Sequence, residues 1–321
     1  MKILVAEPLA AAGIDLLKAQ PGWDVVISNP KEYMQHLGDA DALFVRSAVK
    51  VNADVLAKAP KLRVIGRAGV GVDNVDLPAA TAANVLVMNT PGGNAVAVAE
   101  HTLGFMLCLA RSIPQASAST KAGNWEKKKF MGSELRGKTL GILGFGYIGQ
   151  EVAKRARGFE MTIIAHDPYA NQKIASELGV SLVTLDELYA QSDYITLHMA
   201  ITKETNAMLN DAAFAKMKTG VRIINCARGE LVDSAALARG IASGKVAGAA
   251  MDVFETEPPA AGDPLLALEQ VLATPHIGGS TGEAQEVVGV RIVEQVVDYL
   301  QRGVAVNAVN AVAAASSRRQ N

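Results

Sequence analysis

Three apolar, strand-like runs are each followed by side chains suited to proton and hydride chemistry. "NCARGELVD" carries Arg228, "DVFETEPP" carries Glu255 and Glu257, and "ATPHIGGS" carries His276. Oxidising an alcohol needs a base for the hydroxyl proton, and imidazole is the side chain that titrates nearest neutral pH. A carboxylate bonded to that imidazole orients it. A guanidinium grips a substrate carboxylate through paired hydrogen bonds and polarises the neighbouring carbonyl. Taken singly, Arg228 also reads as a surface ion-pair residue, Glu257 as a solvated loop acid and His276 as a packing or capping residue. In an open parallel sheet, however, loops beyond the strands' carboxyl ends converge on the ligand crevice. Their joint placement favours hydride transfer to or from a 2-hydroxy acid.

A second constellation is "GILGFGYIG" (141–149), where Gly144, Gly146 and Gly149 follow a strand and open a helix over about 147–158. The first glycine permits a tight turn, the second lets backbone approach a pyrophosphate, and the third allows close helix–sheet packing. The helix N-terminus then offers amide donors to phosphate. Asp167 ends the next strand. A carboxylate there accepts the ribose hydroxyls and repels a 2′-phosphate, and "HDPYAN" offers no arginine for one. The expected cofactor is NAD.

These residues need two sheets to hold them. "KILVA" (2–6), "DVVI" (24–27), "ALFV" (42–45), "RVIG" (63–66) and "VLVM" (85–88) alternate with helical or loop stretches, which predicts a parallel sheet before the glycine motif. A long apolar helix is expected at 95–111. A new set of strands follows: "TLGILG", "TIIAHD", "YITLH", "VRIINCA", "AGAAMDV" and "VLATP". A last helix at 282–302 should bury Val287, Val288, Val290, Ile292, Val293, Val296, Val297 and Leu300. The end, "AVAAASSRRQN", is expected to fray, with no further module after residue 310.

Length and composition set limits. A chain of 321 residues is long for one core. Its formal net charge is −1, with basic residues spread along the chain, which argues against nucleic acid or an anionic membrane as partner. No run reaches the ~18 apolar residues of a membrane helix, and the first residues do not form a signal peptide, so a cytoplasmic location is expected. Cys108 and Cys226 read as buried free thiols. No metal-ligand spacing occurs. Among the other histidines, His36 reads as a solvated helix face, His101 as a hydrogen-bonded core or interface residue, His166 as a neighbour of the cofactor strand, and His198 as a packing residue.

Over roughly residues 1–310 the chain resembles the D-isomer-specific 2-hydroxyacid dehydrogenase family. The carriers are "VRSAVKV", "GRAGVGVDNVDL", "VMNTPGGNAVAVAEHTLGFMLCLAR", "WEKKKFMGSEL" and "GKTLGILGFGYIG", with the Arg228, Glu257 and His276 loops. "GRAGVGVDNVD" and "KKKFMG" point more narrowly to its phosphoglycerate-oxidising branch. The resemblance implies two doubly wound α/β parallel-sheet domains, a Rossmann-type NAD domain (96–285) inserted into a flavodoxin-like substrate domain (1–95 and 286–321). The active site would lie in the cleft between them. It implies Arg228, Glu257 and His276 as the catalytic set. It also implies nucleotide contacts at Val70, Tyr147, Ile148, Asp167, Met199, Cys226, Asp252 and Gly279, beside the three fingerprint glycines.

The implied reaction is NAD-dependent oxidation of 3-phospho-D-glycerate to 3-phosphohydroxypyruvate, on the way to serine, in a homodimer. For the phosphate the sequence offers Arg46, Arg67, backbone amides around Gly69 in "RAGVG", and the lysine run from Lys127 to Lys129, which equally reads as a solvated loop. The "MAIT" loop after "YITLH" departs from the proline-containing loop of many family members. Two alternatives share these features: a glyoxylate or hydroxypyruvate reductase, which needs no phosphate clamp, and an NADH-sensing corepressor-like binding protein.

Overall fold

The computed structural model describes residues 1–310; the tail expected to fray, 311–321, lies outside them. The chain divides into two compact units, one of residues 1–94 plus those from Ser280 onward, the other Ala95–Gly279.

In the first unit β1 (Lys2–Val5), α1 (Ala11–Lys18), β2 (Asp24–Ile27), β3 (Ala42–Val45), α2 (Ala53–Ala57), β4 (Val64–Arg67), α3 (Leu77–Ala82) and β5 (Leu86–Met88) follow one another. The strands pair in parallel in the order β2-β1-β3-β4-β5, which is the flavodoxin-like winding. Leu4, Leu43 and Ile65 point to one face, with Val55 and Leu56 of α2 packed on it. Ile3, Val5, Phe44 and Val64 point to the other. Burial of both faces explains why these strands read as unbroken apolar runs. Side-chain caps from Asn52 and Asp76 start α2 and α3.

The second unit runs through α4 (Ala95–Arg111), α5 (Ile113–Lys121), β6 (Thr139–Leu143), α6 (Tyr147–Ala156), β7 (Thr162–His166), α7 (Gln172–Glu177) and β8 (Ser181–Leu182). It continues with α8 (Leu185–Gln191), β9 (Tyr194–Leu197), α9 (Asp211–Lys216), β10 (Val221–Asn225), α10 (Ser234–Ala242), β11 (Val246–Met251) and β12 (Val271–Ala273). Its sheet is parallel, ordered β12-β11-β10-β9-β6-β7-β8. The chain thus winds one way from β6 through β7 to β8, then crosses back to β9, the doubly wound dinucleotide topology. The switch point lies between β6 and β9, where ligands bind in such sheets. Helix α4 packs on α6 and on β10 and β11, burying Val98, Thr102, Leu103 and Met106.

The chain then returns to the first unit as α11 (Gly282–Arg302), capped by Thr281, whose side chain accepts from Ala284 N–H. Ile292, Val293 and Val296 are fully buried against Ile3, Phe44 and Val64, each such side chain contributing about 1.5–3 kcal/mol. Gly13 and Gly289 let α1 and α11 cross closely, for a Cβ on Gly13 would stand 3.1 Å from Gly289 O.

Several expectations need correction. Val287 is 37% exposed; helical geometry turns it about 100° away from buried Val288, and Ala284, Gly289 and Tyr299 join the buried face instead. Helix α6 ends at Ala156 and tightens into a 3₁₀ turn, Arg157–Phe159. Cys108 is only half-buried. Strand β8 was not foreseen, because two residues carry no readable period; its pairing with β7 defines it. Among the described residues no single helix is long and apolar enough to cross a membrane.

Candidate active site

At the switch point, backbone crowding dictates two of the three fingerprint glycines. Gly144 has φ +90°, and a Cβ there would lie 2.4 Å from His198 O, in the loop after β9. A Cβ on Gly149 would meet Gly144 O at 2.3 Å. Gly146 differs: nothing lies within 4 Å of its missing Cβ, and as N-cap of α6 it offers no side chain to the helix's first amides. The result is an open, donor-rich helix end, flanked by exposed Tyr147 and half-buried Ile148, which suits a pyrophosphate. Asp167 is held beside it, its carboxylate accepting from Phe145 N–H and Tyr169 N–H, both at 2.8 Å. With two bonds made, the carboxylate keeps lone pairs for ribose hydroxyls. Met199, half-buried, packs its Cβ beside the same turn. These residues fit NAD.

The chemistry-bearing loops follow β10, β11 and β12. Glu257 Oε2 lies 2.7 Å from His276 Nδ1, while its Oε1 accepts from Phe254 N–H. A carboxylate only accepts, so Nδ1 carries the ring proton and Nε2 is left with its lone pair. The two side chains are 51% and 38% exposed, open to a ligand; Glu255 is exposed. Arg228 precedes a 3₁₀ turn, Gly229–Leu231. Its carbonyl accepts from Asn225 Nδ2 and its Nη1 donates to Ala227 O at 2.6 Å. Gly229 allows no side chain at all, since a Cβ would sit 2.0 Å from Phe254 C. That missing atom brings the Arg228 loop into backbone contact with the loop leading to Glu257.

His276 stands in left-handed backbone, φ 53°, which costs a non-glycine residue about 1–2 kcal/mol. Its neighbours over-determine it. His276 N–H donates to Asp252 O at 2.8 Å, and the Asp252 carboxylate accepts from Ile277 N–H at 2.8 Å and Gly278 N–H at 2.7 Å. Asp252 is 1% exposed. Burial pushes its carboxyl up, but bonds from His101, Thr274, Ile277 and Gly278 outweigh burial and hold it below the usual range. The resemblance made Asp252 a nucleotide contact; here both its oxygens are engaged by its own chain. Cys226, also assigned to the nucleotide, is buried, and burial pushes its thiol up to about 12. Gly279 is half-buried at the end of this unit.

In the first unit, Arg46 follows β3 and Arg67 ends the neighbouring β4, with Val45 and Arg67 in register. Arg46 borders a small pocket with Pro8, Ala68 and Gln285. Gly69 (φ +146°) makes room for the Arg67 guanidinium, which a Cβ would strike. Val70 is half-buried, its carbonyl accepting from Asn89 Nδ2. Lys127 is exposed over the Trp125 ring, 5.5 Å from its centre. Sequence reasoning missed Glu7 and Asn74. Glu7, 5% exposed, accepts from the amides of Arg46, Ala48 and Val49, while Asn74 Nδ2 donates to Arg46 O and Val49 O. An acid directly after an apolar strand was the available signal.

A doubly wound sheet with a glycine fingerprint at its switch point has the form of a dinucleotide-binding domain, here with a carboxylate–imidazole pair at its strand ends. The chain belongs to the D-isomer specific 2-hydroxyacid dehydrogenase family, whose NAD binding domain matches residues 103–278. It is 49% identical over 314 residues to the D-3-phosphoglycerate dehydrogenase of Archaeoglobus fulgidus, covering 97% of this chain and 59% of that one. The chain spans between half and three-fifths of the length of such curated relatives. Among solved structures it is 30% identical to a glyoxylate reductase from Paecilomyes thermophila, covering 96% of this chain and 98% of that one with a TM-score of 0.85. It is also 30% identical, over the same shares, to an NAD-dependent formate dehydrogenase from Staphylococcus aureus in complex with NAD, with a TM-score of 0.83.

Proposed function

We propose that this chain catalyses NAD-dependent oxidation of 3-phospho-D-glycerate to 3-phosphohydroxypyruvate, a step that feeds serine synthesis. The carrying observation is the 2.7 Å pair of His276 and Glu257. His276 Nε2 takes the C2 hydroxyl proton as the C2 hydride departs, and Glu257 stabilises the imidazolium formed. Arg228 pairs with the substrate carboxylate. NAD, when bound, supplies the hydride acceptor. Arg46 and Arg67, with amides around Gly69, are proposed to take up the phosphate, and Lys127 to assist. Met199, Cys226, Asp252 and Gly279 are proposed to contact the nucleotide, and Val70 to face its nicotinamide side. The substrate rests on relatives near 50% identity named D-3-phosphoglycerate dehydrogenase.

We further propose a cytoplasmic homodimer. Trp125 and Met131 are 76% and 85% exposed, and Ile113 is 48% exposed, more apolar surface than a solvated loop region needs. Sedimentation velocity tests this, a monomer at working concentration counting against it.

The test of function follows NADH absorbance with NAD and 3-phosphoglycerate, glycerate, D-lactate or 2-hydroxyglutarate. Strong preference for the phosphorylated acid, lost in Arg46→Ala through a raised KM, supports the assignment. The similarity to a glyoxylate reductase supplies the second reading. Preference for glyoxylate or hydroxypyruvate with NADH would favour it. Bound NADH without turnover on any acid would favour a sensor.

A further inference from the structure

We propose that His101, on α4, is a positioning residue for His276, acting through a partly buried hydrogen-bond relay that fixes the loop from Thr274 to Gly278. The inference rests on the reading of His276 as the proton acceptor. The relay's direction follows from donor bookkeeping. The Asp252 carboxylate can only accept, so the Thr274 hydroxyl must donate to Oδ1. With its one proton committed, Thr274 Oγ1 accepts from His101 Nε2, 3.1 Å away. His101 Nε2 also stands 3.5 Å from Asp252 Oδ1. The imidazole is thereby fixed as a donor at Nε2, and its ring is held against Phe105 one helical turn on, centroids 4.4 Å apart.

The relay ends where the loop is most constrained. Asp252 holds Ile277 N–H and Gly278 N–H, immediately after His276 in its left-handed conformation. Were the carboxylate to turn, those two amides would lose their acceptor and His276 could relax toward ordinary backbone. Asp252 sits on the loop after β11 and could follow such a rearrangement. His101 belongs to a helix buried against β10 and β11 and cannot. It is the fixed point from which Thr274 and Asp252 are aimed. The same chain of contacts ties the cofactor unit's long helix to the base without His101 itself touching substrate.

Three variants test this: His101→Leu, which keeps bulk but removes the donor; His101→Gln, whose amide nitrogen restores a donor at similar reach; and Thr274→Val, which removes the intermediate hydroxyl without changing shape. Amide hydrogen exchange at Ile277 and Gly278 is read first, because it needs neither substrate nor turnover. His101→Leu and Thr274→Val should each speed exchange at these two amides roughly tenfold, the equivalent of one hydrogen bond. His101→Gln should restore protection to within about threefold. With the enzyme's substrate, kcat should fall about tenfold in the Leu variant while KM changes little, and the His101→Leu/Thr274→Val pair should be no worse than either alone. Unchanged protection in His101→Leu overturns the relay, as does equal impairment by Leu and Gln, which would mark His101 as packing. Faster exchange with kcat unaffected would overturn His101 as a positioning residue for His276, whose own role as base His276→Asn tests separately.

Discussion

Glu257 Oε2 and His276 Nδ1 lie 2.7 Å apart across two loops that are 19 residues apart in sequence. The contact does more than orient a ring. It assigns the proton to Nδ1 and so presents Nε2 as the acceptor.

His276→Asn should therefore lower kcat by roughly 10²- to 10⁴-fold, the usual worth of a positioned acid–base group. NADH affinity, read by fluorescence titration, should stay nearly constant. Glu257→Gln keeps a carbonyl able to accept from Nδ1, so its loss should be nearer tenfold. Equal losses in the two variants would mean that the carboxylate does more than hold the tautomer.

The glycines separate cofactor binding from folding. Gly146→Ala adds an atom where nothing lies within 4 Å, at φ −76°, so stability should change by less than about 1 kcal/mol. NADH binding should nevertheless weaken, because the new methyl occupies the open helix end. Gly229→Ala meets the Phe254 backbone at 2.0 Å and should cost about 1–3 kcal/mol or more. Thermal melts beside NADH titrations distinguish the two behaviours.

Glu7 should matter to stability although no ligand role is given to it. Glu7→Ala strands the amides of Arg46, Ala48 and Val49 and should cost about 1–3 kcal/mol, lowering the melting temperature by several degrees. Glu7→Gln, retaining one carbonyl oxygen, should fall between. If 3-phosphoglycerate is the substrate, its KM should rise in step, since the Arg46 loop loses its anchor.

His198 predicts a pH dependence. It is buried, with Nε2 beside Thr196 Oγ1, and burial lowers its pKa from 6.5 to about 3. The unfolded chain takes up a proton near 6.5 that the folded chain refuses until about 3. Stability therefore falls as pH drops through that window, by up to about 1.4 kcal/mol per pH unit. His198→Gln should flatten the melting-temperature profile between those limits. A profile parallel to the parent's would assign the acid sensitivity elsewhere.

The sequence by itself determined the periodic elements and the types of the reactive residues. Helices at 95–111 and 282–302 were legible because long apolar periods leave one solution. The glycine turn was legible because Gly144 and Gly149 sit where only glycine fits. Strand β8 was not, since two residues gain their state only by pairing with β7. Val287 was misplaced because a run of valines does not say which of them faces the core. The relay from His101 to Asp252 was illegible for a related reason. Its members lie 173 and 151 residues apart along the chain from His101, at Thr274 and Asp252, and hydrogen-bond partners that distant are chosen by the packing of a helix on a sheet. Tertiary structure alone decided which nitrogen of His101 and of His276 holds a proton, because that is set by the neighbour each ring meets.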